Sequence, residues 1–170
     1  MIETTTWHAL ENQAVRRHHR GDADGAIAAL EQAIAMTRDA ADLTTETASM
    51  LNYLAGIYLG EGKLDRAEST IREALRRTIA SPMNYADNLL ILAEILHKQR
   101  RSRESARAGR EGLRLVRQEY GWDHAYTNGA EKLLDQLGIS YTNGWFLGIV
   151  PPRITSFFGS LRRLIAKSRQ

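Results

Sequence analysis

The sequence of 170 residues has no cysteine, which excludes disulfides and thiolate chemistry. Its five histidines are scattered apart from one group, Arg16-Arg17-His18-His19-Arg20. Neighbouring imidazoles on a helix point about 100° apart, whereas two ligands to one metal need an i, i+4 spacing. The flanking arginines further disfavour a cation, so this group reads as a basic, exposed helix end, suited to the negative pole of the helix dipole. There is no phosphate-cradling glycine loop and no Gly-x-Ser-x-Gly turn. No catalytic residue, metal or cofactor is expected, and the chain does not read as an enzyme. The longest apolar run near the end, Trp145 to Val150, is far short of the ~20 residues of a membrane span. The opening residues carry Glu3 and no apolar stretch, unlike a secretory signal. A soluble, cytoplasmic protein is the expectation.

What is present is ordinary for a globular chain: 43% hydrophobic and 25% charged residues. The net charge of +3 conceals an asymmetry. Residues 1–97 hold nine Lys/Arg against fourteen Asp/Glu, and residues 98–150 hold nine against six. Residues 151–170 hold five bases and no acid. Attraction to an anion would therefore act on the later half of the chain. Nineteen of the twenty-three bases are Arg, whose planar fork suits bidentate anion recognition. Genomic base composition explains an Arg-rich chain equally well.

Laid on itself, the sequence repeats. The clearest unit contains Ala48, Leu51, Leu54, Ala55, Tyr58, Gly62, Leu64, Ala67, Ile71, Ala74 and Leu75. A unit from Ala86 places Leu89, Leu92, Ala93, Leu96, Ser105, Gly109, Gly112 and Leu113 at matching offsets. A unit from Trp7 places Leu10, Ala14, Gly21, Ala26, Ile27, Leu30, Ala33 and Ile34 there. Large apolar residues at i, i+3, i+4 and i+7 give each helix a buried stripe. Three offsets are always small: Ala14, Ala55 and Ala93; Ala26, Ala67 and Ser105; Ala33, Ala74 and Gly112. Small side chains let two helices approach closely. Turn-formers separate the helices, as in Gly21-Asp22-Ala23-Asp24 and Gly60-Glu61-Gly62-Lys63.

This layout resembles the tetratricopeptide repeat over roughly residues 7–120. The unit starts at 7, 48 and 86 lie further apart than the ~34 residues of the common repeat, as in the longer kinesin-light-chain style. Gly121-Trp122-Asp123-His124 followed by Thr127 resembles the lead-in to a further helix of that style, expected from Asp123 to Leu137 with Gly138 as its stop. Ser81-Pro82 and Ser102 read as helix starts. The expected fold is all-α, with seven helices. The resemblance implies a right-handed α-solenoid of antiparallel helix pairs, about three and a half repeats over residues 1–138. Residues 139–170 read as an irregular linker and then a basic amphipathic helix from Arg153. On that helix Ile154, Phe157, Phe158, Leu161, Leu164 and Ile165 share a face, and Arg162, Arg163, Lys167 and Arg169 fall elsewhere. Capping the open end of the solenoid is its expected work, with membrane or partner binding as the competitor.

The resemblance also implies a concave groove lined by the first helix of each unit. Its offsets fall on His8, Glu11, Asn12 and Val15, on Asn52, Tyr53 and Gly56, and on Asp87, Leu90, Ile91 and Glu94. Mixed polar and apolar residues suit an extended peptide or a helix. Some members of the family grip a partner's terminal carboxylates with Lys and Asn at set offsets. Here Glu11, Val15, Asp87 and Ile91 stand there, which argues against such a clamp and for a basic or helical ligand. A second surface is a row of arginines, Arg103, Arg107, Arg110, Arg114 and Arg117, stepping 4, 3, 4 and 3 along one helix side. The packed side is expected on Ala106, Gly109, Leu113, Val116 and Tyr120, and Glu104 and Glu111 offer the row partial relief. The expected function is a non-enzymatic adaptor or scaffold holding a partner protein in the groove. The alternative is a peripheral binder of a membrane surface, nucleic acid or another anionic partner through the basic half. The plainer reading of the row, a hydrated helix face, stays open as well.

Overall fold

The structure, a computed structural model, describes residues 4–78 and 81–141. It is all-helical: α1 (Thr4–His19), α2 (Ala23–Thr37), α3 (Thr44–Gly60), α4 (Leu64–Arg77), α5 (Pro82–Lys98), α6 (Ser102–Tyr120) and α7 (Ala125–Gln136). One 3-10 turn, Ala41–Leu43, precedes α3. The seven α-helices among the described residues agree in number with the seven expected up to Leu137. Packing is most extensive within the pairs α1–α2, α3–α4 and α5–α6, and each pair touches the next through α2–α3, α4–α5 and α6–α7.

Within each pair only three residues link the helices, and all three links share one geometry. Gly21, Gly62 and Arg100 occupy the left-handed region at φ of 81°, 71° and 62°. In each, the amide after that residue reaches five residues back, as Asp22 N does to Arg17 O, Lys63 N to Tyr58 O and Arg101 N to Leu96 O. This is the Schellman closure, which satisfies carbonyls that a helix end leaves open. The same closure follows α7 at Gly138, where Ile139 N donates to Leu134 O. Asp22 also caps α2, its Oδ1 accepting from Gly25 N at 2.9 Å. Pro82 opens α5 behind Ser81, whose hydroxyl makes no cap bond; Ser102 is already inside α6 behind Arg101.

All nine small residues of the repeat are buried. At Gly112 a Cβ would stand 3.1 Å from the Leu90 side chain and 3.2 Å from Ala86 O, so α6 meets α5 almost backbone to side chain. Ser105 differs from its alanine counterparts in sending its hydroxyl to Ala93 O at 2.7 Å, which keeps a buried oxygen partnered. One apolar core runs from Trp7 through α1–α6, and a second, around Leu113, Val116, Ala130 and Leu134, joins α5, α6 and α7.

The junctions between pairs carry buried polar contacts. Thr47 Oγ1 donates to Thr37, bridging α3 to the end of α2 at 2.8 Å between hydroxyls. Asn88 Nδ2 donates to Thr78 Oγ1 at 3.0 Å, bridging α5 to the end of α4. Before α7, Thr127 Oγ1 donates to Gly121 O at 2.6 Å. Each partner in these contacts gives a desolvated group its hydrogen bond.

Two local expectations change. Tyr120 is 44% exposed, because α6 packs on Ser105, Ala108, Gly109, Gly112, Leu113 and Val116. Its ring stacks on His124 at 4.4 Å, in the segment that turns at Gly121. The helix expected over Asp123–Leu137 begins at Ala125, where His124 supplies the cap by accepting from Tyr126 N. The packed region also continues past Gly138: Ile139 is buried, and Ser140 O accepts from Arg110 Nη1 at 3.1 Å. The expected tail helix, with Phe157, Phe158, Leu161, Arg162 and Arg163, lies outside the described residues.

Candidate interaction surfaces

On α1 and α3, Glu11, Val15 and Tyr53 come together with His18 and His19 around an open cleft of about 480 Å³. Val15 and Tyr53 are half-buried, leaving apolar surface beside a carboxylate and two imidazoles. Tyr53 is aimed by His18, whose Nδ1 lies 2.8 Å from its hydroxyl. Burial pushes the Tyr53 phenol above its ordinary value, so it stays neutral as a donor and acceptor. His8 pairs loosely with Glu11 at 3.9 Å, and both His8 and Asn12 are exposed at the margin. Gly56 is exposed one turn beyond Asn52, with open space where a Cβ would stand.

A second, smaller pocket of about 130 Å³ lies between α3 and α5, lined by Ser49, Asn52, Thr78, Asn84, Asp87 and Asn88. Asn52 Nδ2 donates to Asn88 Oδ1 at 2.6 Å, so the amide pair and Thr78 form one chain across the junction. Asp87 accepts from the Tyr126 hydroxyl, which reaches back from α7. Burial pushes the Asp87 carboxyl up and the Tyr126 hydrogen bond opposes this. The Tyr126 phenol is held well above its ordinary value, by burial first and then by its carboxylate partner. Tyr126 and Tyr120, 5.5 Å apart, leave an exposed aromatic pair at this end.

Leu90 is only 8% exposed and packs where Gly112 leaves space, so it belongs to the core. Ile91 is half-buried against the main core. Glu94 is half-buried farther along α5.

The arginine row divides. Arg103, Arg107, Arg110 and Arg114 are exposed. Arg114 is answered by Glu111 at 2.7 Å, which holds that carboxyl below its ordinary value. Glu104 turns away to Arg101. Among the described residues Arg110 meets the uncharged Ser140 carbonyl, and Arg110, Arg103 and Arg107 have no ion-pair partner. Arg117 leaves the row. Its side chain is 11% exposed, paired with Glu131 at 2.8 Å, and stacked 4.1 Å over Trp122 and 5.2 Å over Tyr141. Desolvation makes such a cation–π arrangement worth more than it is at the surface. Burial, with a hydrogen bond donated to the Asp135 carboxylate, pushes the Tyr141 phenol up to about 12.

Among the described residues no group of three His, Asp or Glu side chains could hold a metal, and no helix is long and apolar enough to cross a membrane. No family model matches the chain, and no curated protein matches it.

Proposed function

We propose that this chain is a non-enzymatic interaction module, an adaptor or scaffold that holds a partner protein on the faces of α1, α3 and α5. In this reading the helix pairs form a tetratricopeptide-like right-handed solenoid of about three and a half units in the cytoplasm. Identical left-handed turns at Gly21, Gly62 and Arg100 support it, because repeating one turn at one offset stacks equivalent pairs. The small residues buried at matching offsets support it too.

The observation that carries the functional reading is the cleft of Glu11, Val15, His18, His19 and Tyr53, set beside the Asn52–Asp87–Asn88 pocket. Together they offer an apolar seat, a carboxylate and side-chain amides, the combination that fixes an extended peptide or a helix. Glu11, Asp87 and Glu94 give this face its acids, which favours a basic ligand. The test is affinity capture from the native cell with the full chain, a Val15→Asp/Tyr53→Ala variant and an Arg103→Gln/Arg107→Gln variant. A protein held by the first and third but lost from the second supports the groove. Identical recovery by all three overturns it.

A further inference from the structure

The polarity of one buried hydrogen-bond chain decides what the pocket between α3 and α5 can bind. Thr78 Oγ1, at the end of α4, donates to Ala74 O at 3.0 Å. Its proton is thereby spent, so it accepts from Asn88 Nδ2 at 3.0 Å. Asn88, 2% exposed, then turns its Oδ1 to Asn52, whose Nδ2 donates to it at 2.6 Å. A helix carbonyl thus fixes both amides in one orientation. Asn52 is left with its Oδ1 unused among the described residues, on the wall of the pocket.

Asp87 adds a second acceptor to the same wall. Its Oδ1 takes the Tyr126 hydroxyl, and its Oδ2 has no partner among the described residues. Half-buried carboxylates elsewhere, Glu68, Glu73 and Glu131, each hold an arginine, but Asp87 forms no ion pair among the described residues. Burial pushes this carboxyl up, and only the Tyr126 hydrogen bond opposes it. A desolvated charge without a counter-ion is costly, and a cation brought by a ligand would remove that cost. At about 130 Å³ the pocket exceeds what one water needs and falls well short of the ~300–1,000 Å³ of a small-molecule site. It suits the end of one side chain. A hard metal ion asks for about six or more oxygens, and no group of three His, Asp or Glu gathers among the described residues.

We propose that this pocket, as part of the groove proposed above and resting on that reading, seats a primary ammonium, the side-chain end of a lysine in the partner segment. An ammonium carries three donors and no acceptor. It matches Asn52 Oδ1, Asp87 Oδ2 and an oxygen of Ser49 or Asn84, whose side chains make no hydrogen bond among the described residues. Arginine fits less well. Its planar fork pairs best with both oxygens of a carboxylate, and Tyr126 already occupies one of them. Tyr126 stands on α7, so that helix sets the selectivity of a seat built by α3 and α5.

The test is a nuclear magnetic resonance titration of the isotope-labelled full chain with Nα-acetyl-lysine methylamide. Saturable shifts are expected at Asp87 and at the side-chain amides of Asn52 and Asn84. The same compound with its Nε acetylated, which is neutral, should produce none, and the arginine counterpart should bind more weakly. Asp87→Asn keeps the shape and removes the charge, so it should weaken lysine binding at least about tenfold. Tyr126→Phe, at an exposed ring, frees the second carboxylate oxygen and should narrow the preference for lysine over arginine. No saturable shift at these residues overturns the proposal, as does an equal response to the neutral compound or undiminished binding by Asp87→Asn. A preference unchanged in Tyr126→Phe overturns the choice of lysine. If the lysine compound fails to bind while Val15→Asp/Tyr53→Ala still loses its captured partner, the seat falls and the groove stands. If the compound binds while every capture variant recovers the same protein, the groove falls and the ammonium seat stands.

Discussion

Arg101 Nη1 donates to Glu68 Oε2 at 2.6 Å, tying the turn ahead of α6 to the outer side of α4. The other Glu68 oxygen accepts from Arg72 at 2.8 Å. Burial alone would raise this carboxyl, but the hydrogen bonds from Arg72 and Arg101 outweigh it and hold the group below its ordinary value of 4.5. A carboxyl lowered by folding stabilises above its unfolded value, and that stability is lost as pH falls through the lowered one. Urea midpoints should therefore drop from pH 7 to pH 3 more steeply in the native chain than in Glu68→Gln. Parallel curves for the two proteins would show that this pair does not contribute.

Arg100 occupies the left-handed turn position that glycine holds at Gly21, Gly62 and Gly138. A side chain in that conformation costs roughly 1–2 kcal/mol, offset in part by the greater unfolded freedom of glycine. Arg100→Gly is expected to stabilise the fold by about 1 kcal/mol, raising Tm by roughly 2–4 °C. Calorimetry decides it, and a lowered Tm would mean that the Arg100 side chain makes a contact of its own.

Gly112 and Gly56 are both helical glycines with opposite surroundings. At Gly112 a Cβ would press on Leu90 and on the Ala86 carbonyl, which is backbone and cannot swing aside. Overpacking costs about 1–3 kcal/mol, against a helix-propensity gain of about 1. Gly112→Ala should thus be destabilising by about 1 kcal/mol. At Gly56 nothing lies within 4 Å, so Gly56→Ala should stabilise by about 0.5–1 kcal/mol. Denaturant unfolding of the two variants should shift in opposite directions.

Leu54 is 4% exposed in the main core. Leu54→Asp places an unpaired carboxylate there, at a cost of several kcal/mol, roughly 3–5 or more. Loss of most helical circular dichroism at 25 °C is the expected result. Unchanged helicity and melting would remove Leu54 from the packed interface.

Much of this architecture is legible in the sequence because helix packing depends on size and spacing, which are local properties. The apolar stripes and the small residues at Ala14, Ala55, Ala93 and their counterparts name their buried sides without reference to any neighbour. Side chains whose fate depends on a partner helix are harder to read. Arg117 has the same spacing as Arg103 and Arg107, yet Trp122, just past the turn at Gly121, and Glu131, on the next helix, draw it inward. Leu90 is expected at a groove offset but packs on α6, where Gly112 leaves it room. A left-handed arginine gives no local signal at all, as its side chain favours other conformations.

The threonine and asparagine contacts at the junctions bear on how the units are ordered. The hydroxyl of Thr37 meets another hydroxyl, that of Thr47, four residues into α3; the hydroxyl of Thr78 meets an amide, that of Asn88, seven residues into α5. Each junction thus has its own lock and its own depth. A chain with its pairs transposed would keep its apolar stripes but bring a hydroxyl opposite the wrong partner at the wrong turn. Leaving one buried polar group unmatched costs about 1–3 kcal/mol, a sizeable share of a fold's net stability. The pairs are alike enough to stack but not to exchange, so the order of surfaces along α1, α3 and α5 is written into the seams between them.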